Sequence, residues 1–288
     1  MGRVEEELVK LAKSMKLRTG ALGLGDDCEC LKLTNSFLCA NVDGFRAKDV
    51  KMEFMDLRDV GWRGVIASLS DLVAKGARPL ASSFSVYSNS IEGIKELSEG
   101  ALEAIREYDL IFMGADSNKG EDAIDVFSIG TAKKPIPIGG AKVGDSLVIP
   151  RGCWGCVSTC LRGEAEGEIL EHCKRPRIRI ELVDVIEEFA DFIHASSDSS
   201  DSLAITLWRI ASSSKVRIDL FDVPKPEEVS LEDALFSGEE YLPVFIIEND
   251  VAEEFAKRIG GIVAGKVSEG EGVYFRGRLL EPRGWEWF

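Results

Sequence analysis

The chain of 288 residues carries 50 Asp+Glu against 35 Lys+Arg and only 2 His, a formal net charge of −15. That length suits one large domain or two of ordinary size, about 100–200 residues each, and its 45% hydrophobic content provides a sizeable core and excludes global disorder. The acidity argues against nucleic acid as a partner, since phosphate needs a basic face, and the shortage of histidine disfavours His-ligated zinc and Ser-His-Asp hydrolysis; carboxylates are expected to carry the chemistry.

In chain order, residues 3–16 place Val4, Leu8, Leu11, Ala12 and Met15 on one helical face. A glycine-rich turn, 20–25, ends in Asp26 and Asp27. Residues 31–33 and 37–42 read as a strand pair around Thr34-Asn35-Ser36. A helix is predicted over 59–75, stopped by Gly76 and Pro79, then a strand over 80–87 and a helix over 91–107. Strands follow at 110–113 and 124–131. The Pro/Gly-rich stretch 133–144 is the linker candidate, dividing the chain into domains 1–138 and 139–288. Beyond it come a strand at 147–149, helices at 177–190 and 199–213, strands at 216–221 and 242–248, a helix at 250–259, and strands at 262–267 and 273–280. Interleaved strands and helices indicate an α/β or α+β fold.

No stretch approaches the roughly 18–20 apolar residues of a membrane helix, and the start, Met1-Gly2-Arg3-Val4-Glu5, lacks a signal pattern. The cytoplasm is the expected location. Gln is absent and Asn sparse, as in proteins adapted to high temperature. Of the seven cysteines, Cys153, Cys156, Cys160 and Cys173 allow a metal cluster, a CxxC redox pair, buried apolar packing or structural disulfides; the spacing beyond Cys156 matches no common zinc pattern.

Two glycine-rich segments imitate nucleotide loops. Gly260 to Val267 nearly spells GxxxxGK[ST], but Val267 replaces the hydroxyl, and a helix precedes where a strand is required. In the 20–25 turn, Cys28 stands where a dinucleotide fold needs its third glycine.

The aspartates give the strongest signal. Asp27 follows a glycine turn, Asp43 and Asp116 end apolar strands, Asp71 sits in an apolar helix, and Asp198 and Asp201 frame Ser199-Ser200 at a helix start. Taken singly, each suits a turn or a helix cap. Together they suggest a site for hard cations, because a carboxylate on an apolar element is costly unless it is paired or metal-bound, and oxygen ligands suit Mg²⁺.

Gly25-Asp26-Asp27, Asp43, the stretch from Ala67 to Pro79, Gly114-Ala115-Asp116, Gly140 to Asp145, Asp198-Ser199-Ser200-Asp201 and Ser237 to Tyr241 stand in the order seen in thiamine-monophosphate kinases. The chain resembles that family from about Gly25 to its end. The resemblance implies a two-domain fold like that of aminoimidazole ribonucleotide synthetase, with the N-terminal sheets of a homodimer joined in a barrel. It implies ATP-dependent phosphorylation of thiamine monophosphate to thiamine diphosphate with several Mg²⁺. By family position, Asp27, Asp43, Asp71, Asp116, Asp198 and Asp201 would bind Mg²⁺, assisted by Asn41 and Val42 through the backbone. Ala115, Asp116 and Ser200 would lie against ATP. Glu240 and Trp285 would meet the thiamine end. The chain departs from the family pattern at Val50, Ile138, Ser117 and Ser202, in the run Asn41-Val42-Asp43 and in Glu240-Tyr241-Leu242-Pro243. Two alternatives therefore stand beside this reading: another acceptor within the same superfamily, or a degenerate nucleotide-binding scaffold.

Overall fold

A computed structural model describes residues 3–284. The chain opens with helix α1 (Arg3–Ser14) and the hairpin β1 (Glu29–Lys32) and β2 (Phe37–Arg46). It continues through α2 (Ala47–Val50), α3 (Leu57–Ala74), β3 (Arg78–Tyr87), α4 (Ile91–Glu107), β4 (Ile111–Asn118) and β5 (Ala123–Ala132). The five strands form one sheet in the order β1-β2-β5-β3-β4, with α4 making the crossover between parallel β3 and β4.

After the Pro/Gly stretch come β6 (Ser146–Pro150), α5 (Cys156–Leu161), α6 (Gly167–Lys174), α7 (Leu182–Phe189), β7 (Ile193–Ser199) and α8 (Leu203–Ser214). The chain then runs through β8 (Arg217–Leu220), α9 (Leu231–Phe236), β9 (Leu242–Ile247), α10 (Asn249–Ile259), β10 (Gly261–Ser268), β11 (Gly272–Phe275) and β12 (Arg278–Leu279). These strands make a second sheet, β12-β11-β8-β10-β6-β9-β7. Mixed sheets with helices against them are the α/β (α+β) fold expected.

Helix α3 joins the two layers. It is buried on nearly every side, touching β2, β3 and β5 of the first sheet and β7 and β9 of the second; a helix apolar all round belongs in an interior. Asp56 caps it, accepting from the Asp59 amide while the Asp59 side chain accepts from the Asp56 amide. Gly76 takes φ +70° just past its end. Gly61 and Gly100 let α3 and α4 approach until a Cβ on either would overlap a backbone carbonyl of the other helix.

Four expectations are corrected. The helix predicted over 177–190 starts at Leu182, because the preceding residues are tied to other elements: the Ile178 amide donates to Tyr108 Oη at 3.0 Å and Arg179 Nη1 to the Ile259 carbonyl at 2.8 Å. The helix predicted from 199 starts at Leu203 with Ser202 as its cap, and 193–199 form β7. Strand β7 is almost wholly buried yet rich in serine, so no apolar alternation announced it. Asp43 and Asp116 lie inside longer strands rather than at strand ends. The final strand folds back on itself at Arg276 (φ +48°) and Gly277 (φ +82°), two successive left-handed residues that suit a tight hairpin.

Candidate active site

The glycine turn, β2, α3, β7 and the loop after β7 converge on a cavity of about 430 Å³. Asp27, Val42, Asp43, Asp71, Asp198, Ser200, Asp201, Arg209, Glu239 and Tyr241 are among the residues that line it. A second cavity of about 650 Å³ lies on the other side of the turn and shares Gly25, Asp26, Asp27 and Val42. Both volumes fall in the range of small-molecule sites, roughly 300–1,000 Å³.

At the centre, one carboxylate oxygen each of Asp27, Asp71 and Asp198 lie within 4.8 Å of one another. They come from the turn, from α3 and from β7, so the site is a seam between the two sheets. Ser70 Oγ on α3 donates to Asp198 Oδ2 at 2.7 Å. Asn41 Nδ2 on β2 donates to Asp71 Oδ2 at 2.5 Å, and Asn41 Oδ1 accepts from Ser68 at 2.8 Å. Asn41 thus orients a carboxylate through its side chain. Ser197 Oγ donates to Asp27 Oδ1 at 3.1 Å.

The electrostatics are lopsided. Burial and the neighbouring charges of Asp198, Glu239 and Asp201 push Asp43 up to about 7. Burial, reinforced by Asp27, raises Asp198 to about 6, and burial with Asp198, Asp27 and Asp43 lifts Asp71 far above the ordinary carboxylate range. Asp27 goes the other way: burial would raise it, but Lys75 and Arg209 together pull it down. Buried Asp198 Oδ1 has no hydrogen-bond partner, nor has Asp27 Oδ2 beyond the charge of Lys75. Orphaned buried carboxylate oxygens are expensive. An all-oxygen, like-charged donor set with unmet lone pairs fits a hard divalent cation.

Other anticipated residues stand apart. Asp116 and Ala115 are on exposed edge strand β4, where Asp116 accepts from Asn118 at 3.0 Å. Two strands intervene between them and Asp43, through the register Asp43↔Val126, Val126↔Phe84 and Phe84↔Ala115. At about 4.8 Å per strand that is roughly 14 Å. Glu240 is buried, its Oε1 accepting from the Gly155 amide at 2.8 Å, while its neighbours Glu239 and Tyr241 line the cavity. Trp285 lies outside the described residues. Lys75, Arg209, Ser70 and Glu239 are the site residues that sequence reasoning missed. A lysine inside an otherwise apolar helix end was the available clue to Lys75.

Six of the cysteines pair as Cys30–Cys39, Cys153–Cys156 and Cys160–Cys173, and Cys28 is free and buried. Disulfides, rather than a metal cluster, are thus what the 153–173 region forms, with Cys153–Cys156 closing the CxxC.

The family profile described as AIR synthase related protein, N-terminal domain, matches residues 25–132. A thiamine-monophosphate kinase of Pyrococcus abyssi is 34% identical, covering 91% of this chain and 90% of its own. The chain belongs to the thiamine-monophosphate kinase family. Among solved structures, tt0281 from Thermus thermophilus is 32% identical with a TM-score of 0.86, covering 96% of this chain and 98% of its own. A family structure solved with AMPPCP and TMP shares the fold at 23% identity and a TM-score of 0.86, covering 100% and 97%. The imitation at Gly260 to Val267 lacks the strand-to-helix context of a phosphate loop: α10 runs into Gly260, and β10 carries Gly265 and Lys266.

Proposed function

We propose that this chain transfers the γ-phosphoryl group of ATP to the phosphate of thiamine monophosphate, giving thiamine diphosphate. The observation that carries the reading is the carboxylate cluster at the sheet–sheet seam, with unmet buried oxygens, in a chain of this family. A family structure bearing AMPPCP and TMP supports the same pair of substrates.

Asp43, Asp71 and Asp198, with Asp27 and Asp201 beside them, would hold Mg²⁺, with Asn41 orienting Asp71 and Val42 on the cavity wall. Bound there, Mg²⁺ would neutralise phosphate charge and polarise the transferred group. The acceptor is a phosphate oxygen that is already anionic, so no side chain has to remove a proton. The chain's task is to bring two polyanions together in line, which is a matter of positioning and charge. Ser200 lies on the cavity wall for ATP and Trp285 is assigned to the thiamine end, where buried Glu240 would act by positioning its cavity-lining neighbours Glu239 and Tyr241. We divide the chain into a nucleotide- and metal-binding part, 1–138, and a second α/β part, 139–288.

The assembly is a homodimer in this reading. Edge strand β4 exposes Ile111, Phe112 and Met113, and the same sheet exposes Leu80, Phe127 and Val42; an apolar surface of that kind is ordinarily covered. Dimerisation through this sheet would bring a second copy's Asp116 and Ala115 toward the shared nucleotide region. Purified protein with ATP, Mg²⁺ and thiamine monophosphate should yield thiamine diphosphate and ADP. Absence of thiamine diphosphate under those conditions refutes the activity, and a monomeric mass by sedimentation refutes the assembly.

A further inference from the structure

We propose that Lys75 is a built-in cation of the carboxylate cluster, its ammonium filling a position that a divalent ion would otherwise occupy. The inference rests on the metal-binding reading above and concerns how many ions that site takes.

Lys75 closes α3 and its side chain is completely buried. Its Nζ lies 2.5 Å from Asp26 Oδ1, 2.6 Å from the Ser196 carbonyl and 2.9 Å from Asp27 Oδ2. An ammonium group has three donors and no acceptor; here it donates to the Ser196 carbonyl and is ion-paired with one oxygen each of Asp26 and Asp27. Two carboxylates and a main-chain carbonyl drawn from separate elements are also the donor types that a hard cation collects. The contrast with a surface pair such as Lys48–Glu121, where both side chains are about half exposed, is one of kind. Here the charge is sealed in and multiply bonded.

Arg209 extends the arrangement. Its Nη2 lies 2.8 Å from Asp27 Oδ1, so both oxygens of Asp27 face protein cations. Among the described residues, the cluster's salt bridges fall on Asp26 and Asp27, and none falls on Asp43, Asp71 or Asp198. The carboxylates are therefore divided. Asp26 is neutralised by the chain, Asp27 is shared between the chain's own cations and an ion held with Asp71 and Asp198, and Asp43, Asp71 and Asp198 are left for ions that arrive with substrate. Lys75 also ties the glycine turn to β7, so the turn is set before any metal binds.

The test replaces the ammonium with an uncharged side chain of similar length, Lys75→Met, and counts bound Mn²⁺ per chain by electron paramagnetic resonance without nucleotide. The variant is expected to bind one Mn²⁺ more than the wild type, and Asp26→Asn added to it should remove the extra ion. Equal numbers in Lys75→Met and wild type overturn the proposal. If the variant is unfolded in metal-free buffer, folding on addition of millimolar Mn²⁺ supports it, and failure to fold there overturns it. A wild type that binds no Mn²⁺ refutes the metal-binding reading itself, a result distinct from equal binding by both proteins.

Discussion

Glu240 offers a sharp test of how burial governs this fold. Its carboxyl is sealed beneath the cavity wall, with one oxygen accepting from the Gly155 amide and the other without a hydrogen-bond partner. Burial first, and Glu239 beside it, push its pKa from 4.5 up to about 8. The folded chain therefore holds this proton at pH values where the unfolded chain releases it. Stability from this group is fully present below about pH 4.5 and is lost as pH rises toward about 8. At about 1.4 kcal/mol per tenfold change in affinity, the whole interval is worth on the order of 5 kcal/mol. For a chain of this size that is a fall of about 10 °C or more in melting temperature. Other groups titrate over the same range, so the informative quantity is the difference between Glu240→Gln and wild type by calorimetry. The amide retains an acceptor for Gly155 and never ionises. The two proteins should melt within a few degrees of each other at pH 5, and the variant several degrees higher at pH 9. A difference that is the same at both pH values refutes the argument.

Asp71→Asn should abolish thiamine diphosphate formation while leaving the metal-free melting temperature unchanged or higher, because it removes a carboxyl whose ionised form is disfavoured by burial and by Asp198, Asp27 and Asp43; circular dichroism melts together with a product assay check this. Ser70→Ala removes the hydroxyl that donates to Asp198 across the seam, at a cost of about 1–3 kcal/mol for an ion left short of a partner, readable as a lower midpoint in guanidinium. Gly100→Ala reverses the usual rule that alanine improves a helix: its Cβ would overlap the Arg58 carbonyl, so α4 must shift, costing about 1–3 kcal/mol or more. Gly120→Ala, whose Cβ would meet only Tyr87 at ordinary distance, is the control and should shift the midpoint by much less.

Much of the first half was legible in the sequence because its elements carry strong local signals. Helix α4 has the predicted bounds, and α3 ends at Ala74, just before the predicted stop at Gly76. Asp27, Asp71 and Asp198 were readable as charged residues in costly surroundings, and the structure brings them together. Strand β7 was not legible, because Ser196 and Ser197 are buried for hydrogen bonding and not for apolar packing; Ser196 Oγ donates to the Ala74 carbonyl at 2.5 Å and Ser197 Oγ to Asp27 Oδ1 at 3.1 Å. The short helices α2, α5, α6 and α9 fall below the length at which periodicity is informative. The roles of Lys75 and Arg209 were hidden for another reason. An ion pair between residues 48 or 182 positions apart exists only once the chain has folded.

The three disulfides close short segments, with sequence separations of 9, 3 and 13. One lies wholly before the connecting stretch between β5 and β6, and two lie wholly after it. Lys142, Val143 and Gly144 are an exposed part of that stretch. A protease cut there would leave two fragments with no covalent tie, in oxidising and reducing buffers alike. What would keep them together is the packing along α3, the Ser70–Asp198 and Lys75–Ser196 bonds, and the ion pair of Arg209 with Asp27. The halves are thus natural material for reconstitution from separately expressed pieces, and recovery of activity on mixing would report directly on the strength of the seam.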